Sequence, residues 1–223
     1  MYKKIIVYIF LYVIIMCYSP KVSISTFLMG LGFSLLLIIY GNPKYAKENM
    51  VAGIFLIFVA GIQFMEFFFW IDLHNKIGIN KIATVVGSLF NVGQPLLIYG
   101  IKVLYLRPVL QLDWVTILNL MYFIYLIYFY ARFLSQGVLT TTAIVDGHLR
   151  WPWLKYSNPL FFLFMFNLNI FYLTDFGYSF TLFSVTAMFL LFTKIYFPYN
   201  SAELWCFVSS SVPAIMLPLS YYI

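Results

Sequence analysis

Long apolar runs separated by short polar joints are the dominant pattern along this chain. Each run is far longer than a β-strand and is apolar on all sides, which is typical of helices that lie in lipid. A membrane-spanning helix needs about 20 mostly apolar residues, so each run is predicted to form one span. The eight predicted spans are 2–18, 22–40, 50–71, 82–101, 114–134, 159–174, 176–197 and 204–223.

The joints between these runs predict how the helices pair. Residues 19–21 and 174–177 are such short joints that the flanking helices are expected to pack as antiparallel hairpins. The longest polar connection, 135–158, carries Trp151 and Trp153, and we expect it to lie at the lipid headgroups. The first run has the length of a signal peptide but no small-residue cleavage site, so we expect it to be retained. If it is removed, seven helices remain.

Composition supports a membrane protein. The chain has 223 residues, of which 64% are hydrophobic and 9% are charged, and its mean hydropathy is +0.94. A soluble domain carries about 25% charged residues, so this chain lacks the polar surface needed to face water. The predicted fold is therefore all-α, a polytopic transmembrane helical bundle of about eight helices. Residues 1–223 are predicted to form a single integral membrane domain, with no soluble domain.

The net charge of +6 comes from Lys and Arg residues that stand at the ends of the apolar runs. That placement suits lipid headgroups, so the bilayer is the expected partner and no nucleic acid is. Eight spans would divide the 13 basic residues almost evenly between the two faces, with Lys102 on the N-terminal face, which leaves the orientation undecided. Lys3 and Lys4 favour a cytoplasmic N-terminus. The oligomeric state is left open.

The third predicted span contains an acidic residue within an aromatic stretch. Gln63, Glu66 and Trp70 are three and four positions apart, so they lie on one face of the helix. A carboxylate in hydrocarbon is costly, and such residues usually face a bundle interior or a water-filled cavity. Glu66 is therefore predicted to handle a proton or a cation. The alternative is a structural hydrogen bond, or a side chain that reaches up to the interface.

The fourth predicted span carries a stripe of polar residues at helical spacing: Thr84, Ser88, Asn91 and Gln94. Such a stripe can bond helices to one another or line a polar path. Pro95 has no N–H group, so a carbonyl one turn back, near Asn91, is expected to lack its helical partner. Counting inward from the loop between the third and fourth spans, Gln63 falls near Asn91. Glu66 falls near Ser88, and these residues are predicted to form one polar cluster.

Loop residues form a second candidate site. In the eight-span arrangement, four of them emerge on one side of the membrane: Asp72, His74, Asp146 and His148. Asp and His side chains on one face can bind a metal or perform acid–base chemistry. The chain has only two histidines and lacks the HExxH and GxSxG motifs, so no metal site, catalytic residue or cofactor is predicted.

One stretch of the chain resembles known sequences. Gln63, Glu66 and Trp70, followed by Asn80 and the run 91–96, resemble unclassified multi-pass membrane proteins of large DNA viruses and protists. The resemblance covers the third and fourth predicted spans and implies no activity.

Together, these patterns predict a small transporter or channel for an ion or a small molecule. Its polar path would surround Glu66 and the helix that carries Asn91 and Gln94. A membrane-embedded lipid-modifying enzyme and a non-catalytic membrane assembly protein are the alternatives. Proximity of His74 to His148 would favour the enzyme, and a tightly packed bundle without an internal cavity would favour the assembly protein.

Overall fold

The structure, a computed structural model, describes most of the chain after the first predicted span. The described residues are 19–106, 112–136, 138–143, 149–196, 205 and 207–223. The predicted span 2–18 lies outside them. Across the described ranges the chain is almost entirely helical, which confirms the predicted all-α bundle.

The helices follow one another with short connections. They are α1 (Pro20–Tyr40), α2 (Ala46–Ile71), α3 (Ile79–Val92), α4 (Gln94–Leu106), α5 (Trp114–Ser135), α6 (Pro159–Phe171), α7 (Phe176–Tyr196) and α8 (Val212–Leu219). A two-stranded antiparallel ribbon and two 3₁₀ turns complete the described elements. These are β1 (Thr142–Ala143), β2 (Leu149–Arg150), Pro43–Tyr45 and Pro152–Lys155.

Capping residues explain where several helices begin. Ser19 accepts a hydrogen bond from the N–H of the third residue of α1, and Pro20 takes the first helical position. This helix therefore starts two residues before its predicted start. Asn158 caps α6 in the same way, in front of Pro159. Asp113 caps α5 through a 2.8 Å bond from a backbone N–H group in its first turn.

Four described helices are long and apolar enough to cross a membrane: α1, α2 with its preceding 3₁₀ turn, α5 and α7. The bent pair of α3 and α4 makes a fifth if it is taken as one span. The predicted spans 159–174 and 204–223 are replaced by shorter apolar helices, Pro159–Phe171 and Phe207–Leu219. A 13-residue helix is only about 20 Å long, less than the hydrocarbon thickness. The set of helices is typical of a membrane-spanning protein.

The helix α2 occupies the centre of the bundle. Half of its apolar stretch is buried, compared with 28–33% for the other three full-length helices. Glycines bring its neighbours close, because Gly30 of α1 lies against Ala60 and Gly61 lies against the ring of Phe90 on α3. The outer helix α5, in contrast, exposes large apolar side chains such as Ile124, which is 65% exposed. Side chains on the inner faces of α2 are therefore shielded from lipid.

The close approach at Gly30 gives a test of this packing. Gly30→Ala is expected to destabilise the bundle by about 1–3 kcal/mol, because overpacking a tight contact forces a backbone shift. The added Cβ would lie 2.8 Å from the Cβ of Ala60 and 3.1 Å from the Cβ of Ser210. Gly32→Ala is the matched control on the same helix, since its Cβ would meet nothing within 4 Å. Thermal unfolding in detergent compares the variants, and equal midpoints would contradict the packing.

Candidate functional site

Glu66 and Gln63 are buried in the second half of α2. The side chain of Glu66 is 2% exposed and that of Gln63 is 1% exposed. Their neighbours on the helix, Met65 and Phe69, belong to an apolar core cluster. Within the described residues, the amide nitrogen Nε2 of Gln63 has no hydrogen-bond partner. A carboxyl group and an unpaired amide therefore lie inside a largely apolar core.

Contacts between α2 and α3 set the depth of these residues in the bundle. A Cβ at Gly87 would lie 3.3 Å from the ring of Phe69 and 3.4 Å from the Cβ of Met65. The two helices are consecutive and antiparallel, so this contact fixes their relative register. Ser88 follows Gly87 directly and therefore lies at about the depth of Glu66.

Two residues of the polar stripe on α3 bond to other parts of the bundle. The hydroxyl of Ser88 lies 3.1 Å from the hydroxyl of Tyr130 on α5. The Oγ1 of Thr84 donates to Oδ1 of Asn80 at 3.2 Å and lies 2.9 Å from Oγ1 of Thr141. These contacts fasten α3 to α5 and to the loop after it, so Thr84 holds the bundle together.

The span predicted over 82–101 is broken rather than continuous. The helices α3 and α4 meet at Gly93 with a bend of 60°. Two residues later, Pro95 lacks the N–H group that a continuous helix would use. The hydroxyl of Tyr122, on α5, donates to the carbonyl oxygen of Val92 at 2.8 Å. The break is therefore supported by a donor from a neighbouring helix.

A pair of buried asparagines supports the break as well. Asn169 on α6 donates from Nδ2 to the carbonyl oxygen of Pro95 at 2.9 Å and to Oδ1 of Asn119 at 2.8 Å. Asn119 on α5 donates back to Oδ1 of Asn169 at 3.0 Å. This pair was not predicted from the sequence. Each is an Asn in an apolar run, which is a visible signal, but nothing in the runs identifies its partner.

Gln94 stands at the start of α4, directly after the break. Its side chain is buried, and its Nε2 atom has no hydrogen-bond partner in the described part of the chain. Asn91, three residues earlier, is half-buried. An unpaired buried N–H group costs about 1–3 kcal/mol. The amides of Gln63 and Gln94 are therefore donors that an oxygen atom of water or of a solute would satisfy.

Asp72, from the second candidate site, has a structural role. It accepts hydrogen bonds from two backbone N–H groups around the start of α3, at 3.3 Å for Ile77 and 3.2 Å for Asn80. Desolvation by burial acts to raise the pKa of this carboxyl, but the backbone N–H donors outweigh it and lower the pKa below its usual value. Asp72 is thus held as an anion that caps the start of α3.

The other loop residues do not complete a metal site in the described ranges. His74 is exposed, and no group of three or more His, Cys, Asp or Glu side chains that could hold a metal occurs among the described residues. Asp146 and His148 lie outside those residues, so their proximity to His74 stays a prediction.

The loop after α5 packs into the bundle, so its two tryptophans contact protein, and the predicted position of this segment at the level of the headgroups stays a prediction. Trp151 and Trp153 are 3% and 0% exposed, and their rings stack at 5.0 Å. The ring of Trp153 lies 6.2 Å from that of Phe69 on α2, one turn from Glu66. Aromatic side chains of this loop therefore cover the end of α2 that carries the carboxyl.

The predicted position of Lys102 is wrong. It was counted among the loop cations of the N-terminal face, but it lies in α4 and is 2% exposed. Its Nζ atom is surrounded by oxygen atoms at the end of α6. These partners are 67–72 positions later in the chain, so no local signal points to them. The almost even division of the basic residues between the two membrane faces therefore counts one lysine that is not on the surface.

Comparison of this chain with known protein families, proteins and structures identifies no relative. No protein-family model, curated protein or solved structure matches this chain. The fold places the chain in the broad class of multi-helix membrane proteins. The resemblance to membrane proteins of large DNA viruses and protists stays a prediction, and function has to be argued from the site itself.

Proposed function

We propose that this chain is a small transporter or channel for protons or small cations, with a polar path between α2 and the broken pair of α3 and α4. The path would be lined by Glu66, Gln63, Ser88, Asn91 and Gln94. One observation carries the proposal: the side chains of Glu66, Gln63 and Gln94 are all buried, and the Nε2 atoms of both glutamines have no hydrogen-bond partner among the described residues.

The carboxyl of Glu66 determines the class of solute. An acidic side chain within a transmembrane helix is costly, and such residues mark ion pathways and proton relays. A carboxyl group can take up and release a proton, or it can remain charged and attract a cation. Either property favours protons and cations over anions.

The broken span places helix ends and polar side chains inside the bundle. Interrupted helices line the substrate and ion sites of many transporters, because the break exposes backbone carbonyl and N–H groups inside the membrane. The last turn of α3 carries the partial negative charge of its helix dipole, which also favours a cation. Gln94 begins the second half-helix at this point, with its amide N–H unpaired.

Three buried indole groups lie near this end of α2, one turn after Glu66 on α2 itself and in the loop that covers it. The indole N–H groups of Trp70, Trp151 and Trp153 are buried, and none has a partner in the described part of the chain. Buried polar groups are nearly always hydrogen-bonded in native proteins, so these N–H groups are expected to bond to water or to a solute. In this proposal the indoles extend the path from Glu66 toward the loop.

Reconstitution of the purified chain in liposomes tests the proposal. Internal pH is followed with an entrapped dye under a potassium diffusion potential, and sodium and potassium movements are followed under imposed gradients. We expect flux of at least one of these cations well above that of protein-free liposomes. If folded protein carries none of them, the transport proposal is wrong and a non-catalytic assembly role becomes the better interpretation.

A further inference from the structure

A fully buried lysine lies away from Glu66 and has no role in the proposed path. The Nζ atom of Lys102 donates to the carbonyl oxygens of Asn169, Ile170 and Tyr172 at 2.6, 2.5 and 2.9 Å. A fourth oxygen, Oγ1 of Thr174, lies 3.0 Å away. An ammonium group has three N–H donors, so four oxygen atoms surround it more completely than hydrogen bonding requires.

The oxygen atoms come from the end of α6 and from the turn that follows it. The last carbonyl groups of a helix have no partner within the helix, and they carry the negative end of its dipole. Leu173 adopts a left-handed conformation with φ of 60°, which turns the chain after α6. The hydroxyl of Ser179, at the start of α7, donates to the carbonyl oxygen of Ile170 at 3.0 Å. The four oxygen atoms around Nζ of Lys102, here called the cage, thus belong to the end of α6 and the α6–α7 connection. Lys102 reaches into this cage from α4.

The surroundings of the cage match those of a cation rather than of a neutral donor. Backbone carbonyl oxygens replace the hydration shell of potassium in selective channels, and the C-terminal ends of half-helices hold sodium ions in transporters. A small cavity of about 10 Å³ beside the cage is lined by Lys102 together with Glu48 and Tyr178. The carboxyl of Glu48 therefore lines the same cavity as Lys102, and its negative charge would add to the negative potential at the cage.

We propose that the C-terminal end of α6 is a monovalent-cation site, which Lys102 fills with its own ammonium group and which free ammonium or potassium fills when that side chain is shortened. The tethered cation ties α4, the second half of the broken span, to the α6–α7 connection. Asn169 belongs both to the cage and to the support of the break. Its backbone oxygen accepts from Lys102, and its side chain donates to the carbonyl oxygen of Pro95 at the break. This site is independent of the path past Glu66.

The variant Lys102→Ala tests the site, because it removes the tethered cation and leaves room for a free one. Thermal unfolding is measured in detergent in ammonium, potassium and tetramethylammonium chloride at equal ionic strength. The midpoint of Lys102→Ala is expected to be about 5 °C higher in ammonium or potassium than in tetramethylammonium, which is too large for the cage. The unaltered chain is expected to unfold at one temperature in all three salts.

Two further variants serve as controls. Lys102→Met fills the same space without a charge and blocks the cage, so its midpoint should not depend on the cation. Lys194→Ala removes an exposed lysine from α7 and should show no cation dependence either. Equal midpoints of Lys102→Ala in all three salts would overturn the proposal. Failure of Lys102→Ala to fold in ammonium or potassium, while Lys102→Met folds, would overturn it as well.

Discussion

Glu66→Gln is expected to lower the proton or cation flux of the reconstituted chain by about tenfold or more, the factor that corresponds to losing about 1.4 kcal/mol of stabilisation of the moving charge. Glutamine has nearly the size of glutamate and can still hydrogen-bond, but it neither titrates nor carries a charge. In a buried, low-dielectric seam, the attraction between a carboxylate and a cation is much larger than it is in water. The flux assay in liposomes measures the loss directly.

The control for this prediction is Asp175→Asn. Asp175 is exposed, and it caps α7 by accepting a hydrogen bond from the N–H of Tyr178 at 3.1 Å. Asparagine is an equally good cap, so both the fold and the flux should remain as they are in the unaltered chain. If Glu66→Gln keeps the full flux under the same conditions, Glu66 has no part in transport.

Asn169→Leu is expected to destabilise the bundle by about 2–4 kcal/mol. Leucine is similar in size but removes three hydrogen bonds, each worth about 0.6 kcal/mol on average in a membrane bundle. It also leaves the side chain of Asn119 and the carbonyl of Pro95 without these partners, which adds the cost of unsatisfied buried groups. Thermal unfolding in detergent gives the size of the effect.

A matched control lies two residues away on the same helix. Asn167 is half-buried, and among the described residues its side chain bonds only to a carbonyl of its own helix, at Leu163. Asn167→Leu should therefore change stability by no more than about 0.5 kcal/mol. The double variant Asn119→Leu, Asn169→Leu should lose less than the sum of the single losses, because it leaves no half of the pair behind. Additive losses would show that the two asparagines do not interact.

The helices and their starting points were largely predictable from local sequence. Apolar runs of about 20 residues appear as α1, α2, α5 and α7, because lipid requires every backbone group to be bonded within the segment. Pairs such as Ser19-Pro20 and Asn158-Pro159 start helices for a reason that involves only neighbouring residues. The burial of Gln63 and Glu66 on α2 was also predictable, because their spacing places both on one face of a single helix.

The bend at Gly93 was not predictable in the same way. Pro95 indicated that one helical hydrogen bond is missing. A missing bond can either break a helix or only kink a helix that continues, so the sequence did not predict the break. The donors that support the bend are Tyr122, 30 positions from its acceptor, and Asn169, 74 positions from its acceptor. Only the packing of α5 and α6 against the broken pair of α3 and α4 brings these groups together.

Trp153 and Lys102 show why the positions of some side chains are difficult to predict. Both types of side chain suit the membrane interface, and both can also be buried in the protein. A tryptophan next to basic residues fits the membrane interface, but the same ring also fits a protein core when neighbouring helices leave space for it. A lysine at the end of an apolar run usually extends toward the headgroups. Lys102 instead finds the unpaired carbonyl groups of another helix, which the sequence around it does not reveal.

A water-accessible path is proposed to follow the contact between α2 and the broken pair of α3 and α4. The most direct measurement is the rate at which Gln94→Cys reacts with a small water-soluble thiol reagent, in a chain whose Cys17 and Cys206 are replaced by serine. Ile124→Cys, on the lipid-facing side of α5, provides the comparison. We predict rapid modification of Gln94→Cys and none of Ile124→Cys. If the two positions are equally unreactive, there is no aqueous path at the break.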